Sequence, residues 1–404
     1  MLLHSLWLAE RPNMSEGVKA ALLRHFSSPE ELYYCQESEL LELEIHGMTA
    51  EGLEALGDKR LDGAEKTLEK CLKDGVSFLT MEDPKYPDRL RALYDAPVLL
   101  YYKGTMPEFD RLPVIALVGT RKASPYGLKT AQRLGGEIAR GGGLVVSGLA
   151  DGVDAAAMLG ALNERSSVVG VLGCGIDVVY PRKNKDLYLQ TECQGCILTE
   201  YAPGTPPLRW NFPKRNRIIS GLSCGTLVVE APEKSGSLLT ARYALDQGRD
   251  VFVVPGNVDD PRCAGSNRLL RSGAIAVSCG EDVLAEYEGM YPGKLPRHTG
   301  PLPATSRREK PEKTPAKEPL KKKLTEKPID KAALGLYSDQ VAAGPRFTEE
   351  EQKVCDAIGP GEILVDEVIA KSGLPAGKIL SLLTMLELKG AICRLPGKRV
   401  SKKR

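Results

Sequence analysis

The run Arg209-Trp210-Asn211-Phe212-Pro213-Lys214-Arg215-Asn216-Arg217 interleaves four cations with two aromatic rings. Cations held by a fold neutralise successive phosphates, and an exposed ring offers a stacking face to a base of any identity. The pattern points to single-stranded nucleic acid. The competing reading is a surface turn in which Trp210 and Phe212 plug the core and the arginines are merely solvated. A second anion-suited stretch is Val118-Gly119-Thr120-Arg121, followed by Lys122, between an apolar run and a helix that starts near Tyr126. There Gly119 permits a tight turn, Thr120 and the following backbone N–H groups donate to a phosphate, and Arg121 adds a bidentate fork. Two further candidates are the glycine cluster from Ser220 to Thr226, with Gly221 and Gly225 shaping a phosphate loop, and the basic group Arg182-Lys183-Asn184-Lys185. Several such loops fit a repeated phosphate better than one small molecule. None spells G-x-G-x-x-G or G-x-x-x-x-G-K-[ST], so neither dinucleotide binding nor ATP hydrolysis is supported.

Other chemistries find little footing. The four histidines are His4, His25, His46 and His298, all outside the central region, which removes the commonest general base from it. Cys193-Gln194-Gly195-Cys196 is the one C-x-x-C, and no second pair or histidine couple completes a zinc set. No cofactor or metal is therefore expected. Ten cysteines spread over 404 residues suit reduced thiols, and the interrupted apolar amino terminus is neither a leader nor a membrane span, so a cytoplasmic protein without membrane contact is expected. The net charge of +2 creates no global attraction for a polyanion, so nucleic-acid contact must come from local concentration of cations. One enzymatic alternative stays open: Gly225-Thr226 followed by Glu230 resembles nucleotide-binding relatives that hydrolyse nucleoside monophosphates, with Glu230 and Asp154 as the carboxylate pair.

The elements that must position these residues follow from periodicity. Residues 1–65 read as short helices, with a glycine turn at Ile45-His46-Gly47-Met48-Thr49 like that of a degenerate helix-hairpin-helix. Residues 66–290 alternate apolar runs with helical segments: strands are expected at Val114–Val118, Leu144–Val146, Val168–Leu172, Ile197–Thr199, Thr226–Glu230, Val251–Val254 and Ala274–Val277. Helices are expected at Gly127–Arg140, Val153–Leu162 and Leu238–Gln247. Short runs apolar on both faces and separated by helices imply an α/β fold with a mostly parallel sheet covered on both sides, which binds ligands along the carboxyl ends of its strands. Residues 291–346, rich in Pro and Lys, read as a flexible linker. Residues 347–404 read as a winged helix with helices at Thr348–Ile358, Leu364–Ala370 and Pro375–Leu388 and a hairpin at Ala391–Val400; its third helix is poor in base-reading side chains.

Four ordered segments, Val118–Gly127, Ser147–Ala157, Phe212–Gly221 and Lys234–Ala241, resemble the DNA-processing DprA/Smf family, and the likeness continues through Val254–Asn257 and Asn267–Leu270. It is dense over about 75–290. The resemblance implies an extended Rossmann-like core that binds single-stranded DNA without catalysis, forms a homodimer, shields the strand and helps load the RecA recombinase in natural transformation. By position, Arg121 matches the family's phosphate-binding loop arginine, Arg182 or Lys183 its basic site after a Tyr-Pro turn, Arg209 the cation before the aromatic, and Phe212 the base-contacting ring, with Lys214, Arg215, Asn216 and Arg217 beside it. The sequence departs from the family at Asp151, where Arg or another residue is usual, and at Met158, commonly His.

Overall fold

The computed structural model describes residues 2–293 and 295 and, in the carboxyl-terminal part, 349–359, 361, 363–372, 379, 382–383, 386, 391–395 and 399–402. Two compact units divide the chain, 1–306 and 307–404.

The first unit is built on nine strands: β1 Ser77–Thr80, β2 Leu99–Gly104, β3 Val114–Val118, β4 Leu144–Ser147, β5 Val168–Val171, β6 Cys196–Thr199, β7 Gly225–Val228, β8 Asp250–Val253 and β9 Ile275–Ala276. They lie in the order β1-β2-β6-β5-β4-β3-β7-β8-β9, with β3 to β9 parallel and β1 and β2 antiparallel at one side. The chain runs outward from β3 through β4, β5 and β6, then crosses back to lay β7 against the other side of β3. That reversal opens a crevice at the carboxyl ends of β3 and β7, the place where open α/β sheets bind ligands. All seven expected strands are present; the antiparallel pair is additional.

Alternation along β3 shows how both faces are filled: Ile115 and Leu117 enter one apolar cluster, Val114, Ala116 and Val118 the other. The first face is covered by α8 Pro125–Arg140, α9 Val153–Asn163, α10 Lys185–Gln194 and α14 Gly280–Ala285; the second by α7 Asp88–Arg91, α11 Asn211–Leu222, α12 Gly236–Asp246 and α13 Ala264–Arg271. Ahead of them come α1 Leu2–Ala9, α2 Glu16–His25, α3 Pro29–Tyr34, α4 Glu37–Glu42, α5 Ala50–Gly57 and α6 Asp62–Lys73. Ser15, Ser28 and Thr49 cap α2, α3 and α5. These helices share a core with the sheet: Leu6, Trp7 and Leu22 belong to the same apolar cluster as Tyr101 and Ile115. At the far end Tyr287 and Leu295 join that cluster too.

In the second unit α15 Glu349–Ile358 and α16 Val365–Ser372 pack with a three-stranded sheet ordered β10-β12-β11, from Ile363–Leu364, Arg399–Lys402 and Ile392–Leu395. Val354, Val368, Ile379, Leu383 and Val400 form its core. The expected linker lies outside the described residues except 291–293 and 295; so do most of the expected third helix and the hairpin's bend at 396–398.

Candidate nucleic-acid interface

A cleft of about 670 Å³ opens at the switch point between β3 and β7. One wall is the loop after β3. Its glycine is fixed by packing, since a Cβ on Gly119 would lie 2.5 Å from Val153 Cγ2 at the start of α9. The loop's donors are largely taken up internally: the Thr120 N–H donates to the Glu230 carbonyl (2.7 Å) and the Lys122 N–H to Thr120 Oγ1 (3.2 Å). Of the expected backbone cradle, the N–H groups of Thr120 and Lys122 are therefore already engaged, while Gly119 and Thr120 still line the cleft. What the loop presents to the cleft is the exposed side chains of Arg121 and Lys122.

The opposite wall is the amino-terminal turn of α11. The competing reading made this stretch a surface turn; helix prevails because Ile218, Ile219 and Leu222 have an apolar face of the sheet to bury. Phe212 is half-buried and lines the cleft, with Tyr180 at 5.3 Å between ring centroids and the guanidinium carbons of Arg121 and Arg215 at 5.4 and 6.0 Å from its centroid. Phe212 is therefore a wall of the cleft, and Trp210 is exposed. Arg209 is exposed at the rim, and Asn216 ties the wall together, accepting from Arg215 Nε (3.2 Å) and donating to the Gly236 carbonyl (3.2 Å).

Arg215 forms the floor. Only 3 % exposed, it donates to the carbonyls of Gly148 (3.0 Å) and Val171. Burial, only partly offset by the nearby Asp154 carboxylate and reinforced by Arg121, holds its pKa down to about 10, so it stays charged at neutral pH. Burial likewise raises the pKa of Asp154, against the opposing pull of Arg215; its Oδ2 accepts from the Gly148 N–H (3.2 Å). A Cβ on Gly148 would fall 2.6 Å from Arg215 Nη2 and 2.8 Å from Asp154 Oδ2, so that position has room only for glycine.

The third wall was not among the expected contact residues. Lys234, Ser235, Gly236 and Ser237 open α12, whose amino terminus faces the cleft and favours anions. The signal in the sequence was a Lys followed by Ser-Gly-Ser ahead of a helix. Tyr180 was the other omission.

Not all expected residues meet here. Gly221 lies in the last turn of α11 against Leu90 and Leu93, and Gly225 begins β7 against Tyr287 and Phe252. Both sit at the amino-terminal side of β7, while the cleft lies at its carboxyl end, so neither shapes a phosphate loop. Arg217 is 5 % exposed on the face of α11 turned from the cleft, with Nε 3.0 Å from Asp95 and Nη2 2.5 Å from Glu200. Its charge is committed to that ion network. It lines, with the exposed Lys214, a separate pocket that Glu16 and Lys19 of α2 also border. Arg182 and Lys183 are exposed on a short helical turn before α10, and Lys183 pairs with Asp151 at 2.9 Å.

Of the carboxylate pair of the enzymatic alternative, Asp154 lines the cleft whereas Glu230 does not. Glu230 is 2 % exposed and accepts from the Ser124 N–H (2.9 Å) and hydroxyl, holding the start of α8. Cys196 is buried in β6 while Cys193 is exposed, and among the described residues no group of three or more His, Cys, Asp or Glu could hold a metal. Nor is any described helix long and apolar enough to cross a membrane.

Comparison with known proteins bears on this geometry. The family model for DNA recombination-mediator protein A matches residues 77–288, and that for the DprA winged helix domain matches residues 338–398. The DNA processing protein DprA of Streptococcus pneumoniae is 43 % identical over 225 residues, 55 % of this chain and 77 % of that relative. Protein Smf of Synechocystis is 31 % identical over 341 residues, 83 % of this chain and 82 % of its own length. The X-ray structure of the S. pneumoniae protein superposes with a TM-score of 0.63 at 33 % identity, covering 71 % of this chain and 98 % of that one.

Proposed function

The chain belongs to the DNA recombination-mediator protein A family, and from that premise we propose that it is a non-catalytic mediator whose cleft binds single-stranded DNA. One observation carries the proposal: a single cleft gathers the side chains of Arg121, Lys122, Arg209 and Lys234 around the Phe212–Tyr180 ring pair. Cations spaced along a groove neutralise the backbone, and rings accept bases that a duplex keeps stacked. Lys183 and Arg182 extend the basic track beyond the cleft. Gly119, Gly148 and Asp154 shape it without touching the strand.

The family resemblance supports the finer parts of the proposal: a homodimer in the cytoplasm that protects incoming single strands during natural transformation and hands them to the RecA recombinase. The engagement of Glu230 by Ser124 speaks against nucleoside monophosphate hydrolysis.

Binding of one- and two-stranded oligonucleotides across a salt series tests this, with nucleotide hydrolysis assayed on the same sample. Four neutralised phosphates give a slope of log affinity against log salt of about −3 for single strands. Equal affinity for duplex, or turnover of nucleotide at the cleft, would overturn the proposal.

A further inference from the structure

We propose that the start of α12 is a second phosphate site in the cleft, one that holds a phosphate group of the strand through uncharged donors, the Gly236 N–H and the Thr240 hydroxyl, with Lys234 beside them. This rests on the single-strand proposal above and adds a point of attachment on a different wall from Arg121.

α12 runs for 11 residues with Ser235 as its cap, and Ser235, Gly236, Ser237 and Thr240 all line the cleft. In its first turn the Ser237 N–H donates to the Ser235 hydroxyl (3.3 Å) and the Leu238 N–H to the Ser235 carbonyl (3.2 Å), while the Gly236 N–H has no partner among the described residues. Asn216 Nδ2 donates to the Gly236 carbonyl (3.2 Å) and so fixes the backbone at that point. Nothing in the fold asks for glycine there: its φ is not in the left-handed region, and a Cβ would meet no atom within 4 Å. Glycine is a poor helix former. What it provides at a helix start is close approach of a ligand to the backbone.

Thr240 lies one turn further along the helix. Mid-helix hydroxyls commonly bond the carbonyl four residues back, as Ser220 does with Asn216 (3.3 Å). The Thr240 hydroxyl makes no hydrogen bond among the described residues, and unlike those of Thr191 and Thr226 it is not sealed from solvent, although Thr240 is only 1 % exposed. The Ser235 and Ser237 hydroxyls lie 2.7 Å apart; one of their two hydrogens is spent in the mutual bond and the other is left to turn toward the same anion. Lys234 is exposed on this wall and adds a full charge to the positive end of the helix. Phosphate is the part of a DNA strand that takes several donors and a cation at one point.

The test uses the full chain and dT oligonucleotides with no end phosphate, with a 5′ phosphate and with a 3′ phosphate. Thr240→Val removes the hydroxyl at constant shape. Gly236→Pro removes the N–H, and the helix tolerates it: Pro suits the first position of a helix, and Ser235 (φ −93°, ψ 139°) already has the extended backbone that precedes proline. Each variant should melt no lower than the unaltered protein and bind about 10- to 150-fold more weakly, the loss of one hydrogen bond to a charged group. The salt slope should stay unchanged, because no cation is removed. Equal losses on all three strands assign the site to an internal diester; a loss confined to one phosphorylated strand assigns it to the terminal phosphate at that end. Unchanged affinity in either variant overturns the inference, and so does a lowered melting temperature in both, which would make these groups part of the packing. Failure of the unaltered protein to bind any strand, with inorganic phosphate still raising its melting temperature more than that of the two variants, would instead sink the single-strand proposal and leave the site standing.

Discussion

Arg121 and Arg215 flank the same ring yet serve different ends. Arg121 is exposed and tethered by little, so Arg121→Ala should weaken binding of unrelated single strands alike and make the salt slope shallower by about 0.7, as expected for one lost phosphate contact. Filter-binding or fluorescence titrations at several salt concentrations read both quantities; unchanged slope would remove Arg121 from the phosphate track. Phe212→Ala should lower single-strand affinity by about 1–3 kcal/mol with the slope intact, because stacking releases no counterions. If melting temperature collapses while affinity of the remaining folded protein is normal, the ring is packing and nothing more. Lys214 stands in sequence among Arg209, Phe212, Arg215 and Arg217, which mark it as a DNA contact, but it lines the separate pocket bordered by α2. Lys214→Ala should therefore leave single-strand affinity within about twofold, well below the effect of removing a phosphate-contacting cation.

At the scale of elements, the cleft depends on contacts that no motif announces. Ser124 caps α8 by accepting from the Gly127 N–H and is itself bound by Glu230, which joins α8 to the end of β7 across the switch point. Ser124→Ala should destabilise the protein by about 0.5–2 kcal/mol, read by denaturant unfolding. Arg217→Ala should cost more, about 3–5 kcal/mol, because it leaves Glu200 charged and buried without its partner. The parallel strands β3 to β7 were legible because each is a short run buried on both faces between helices, and β3 shows that pattern over its whole length. β1 and β2 were not, since their antiparallel pairing is local to one edge and the link between them is irregular apart from the one turn of α7. The site was legible wherever a cation and its loop lie together in sequence, as at Arg121. It was not where a helix decides which way a residue faces: Arg215 and Arg217 look alike in the sequence, and only the docking of α11 on the sheet sends one under the cleft and the other away from it. The glycines misled for a related reason. Gly221 and Gly225 are small to admit Leu93 and Tyr287, a packing demand that leaves the same mark as a phosphate loop.

For the molecule as a whole, the two units divide at about residue 306, and the cleft lies entirely within the first. A chain ending at residue 306 should fold and bind single strands with the affinity of the full chain. One ending at residue 286 should not: it loses Tyr287, whose hydroxyl donates to Asp250 (2.8 Å), together with Leu295, both buried in the main core. Removal of one large buried ring alone costs about 3–5 kcal/mol, enough to show in thermal melting. A stable, binding-competent 1–286 fragment would contradict this account of the boundary. The helix α11 has one more consequence. Its cleft face carries Phe212 and Arg215, while Arg217 on its back grips Asp95, next to Tyr94, whose ring covers Gly17 and whose carbonyl accepts from Arg24 of α2 (3.2 Å). A strand that steadies one side of this beam steadies what is bolted to the other, so amide hydrogen exchange in α2 becomes a remote gauge of whether the cleft is occupied.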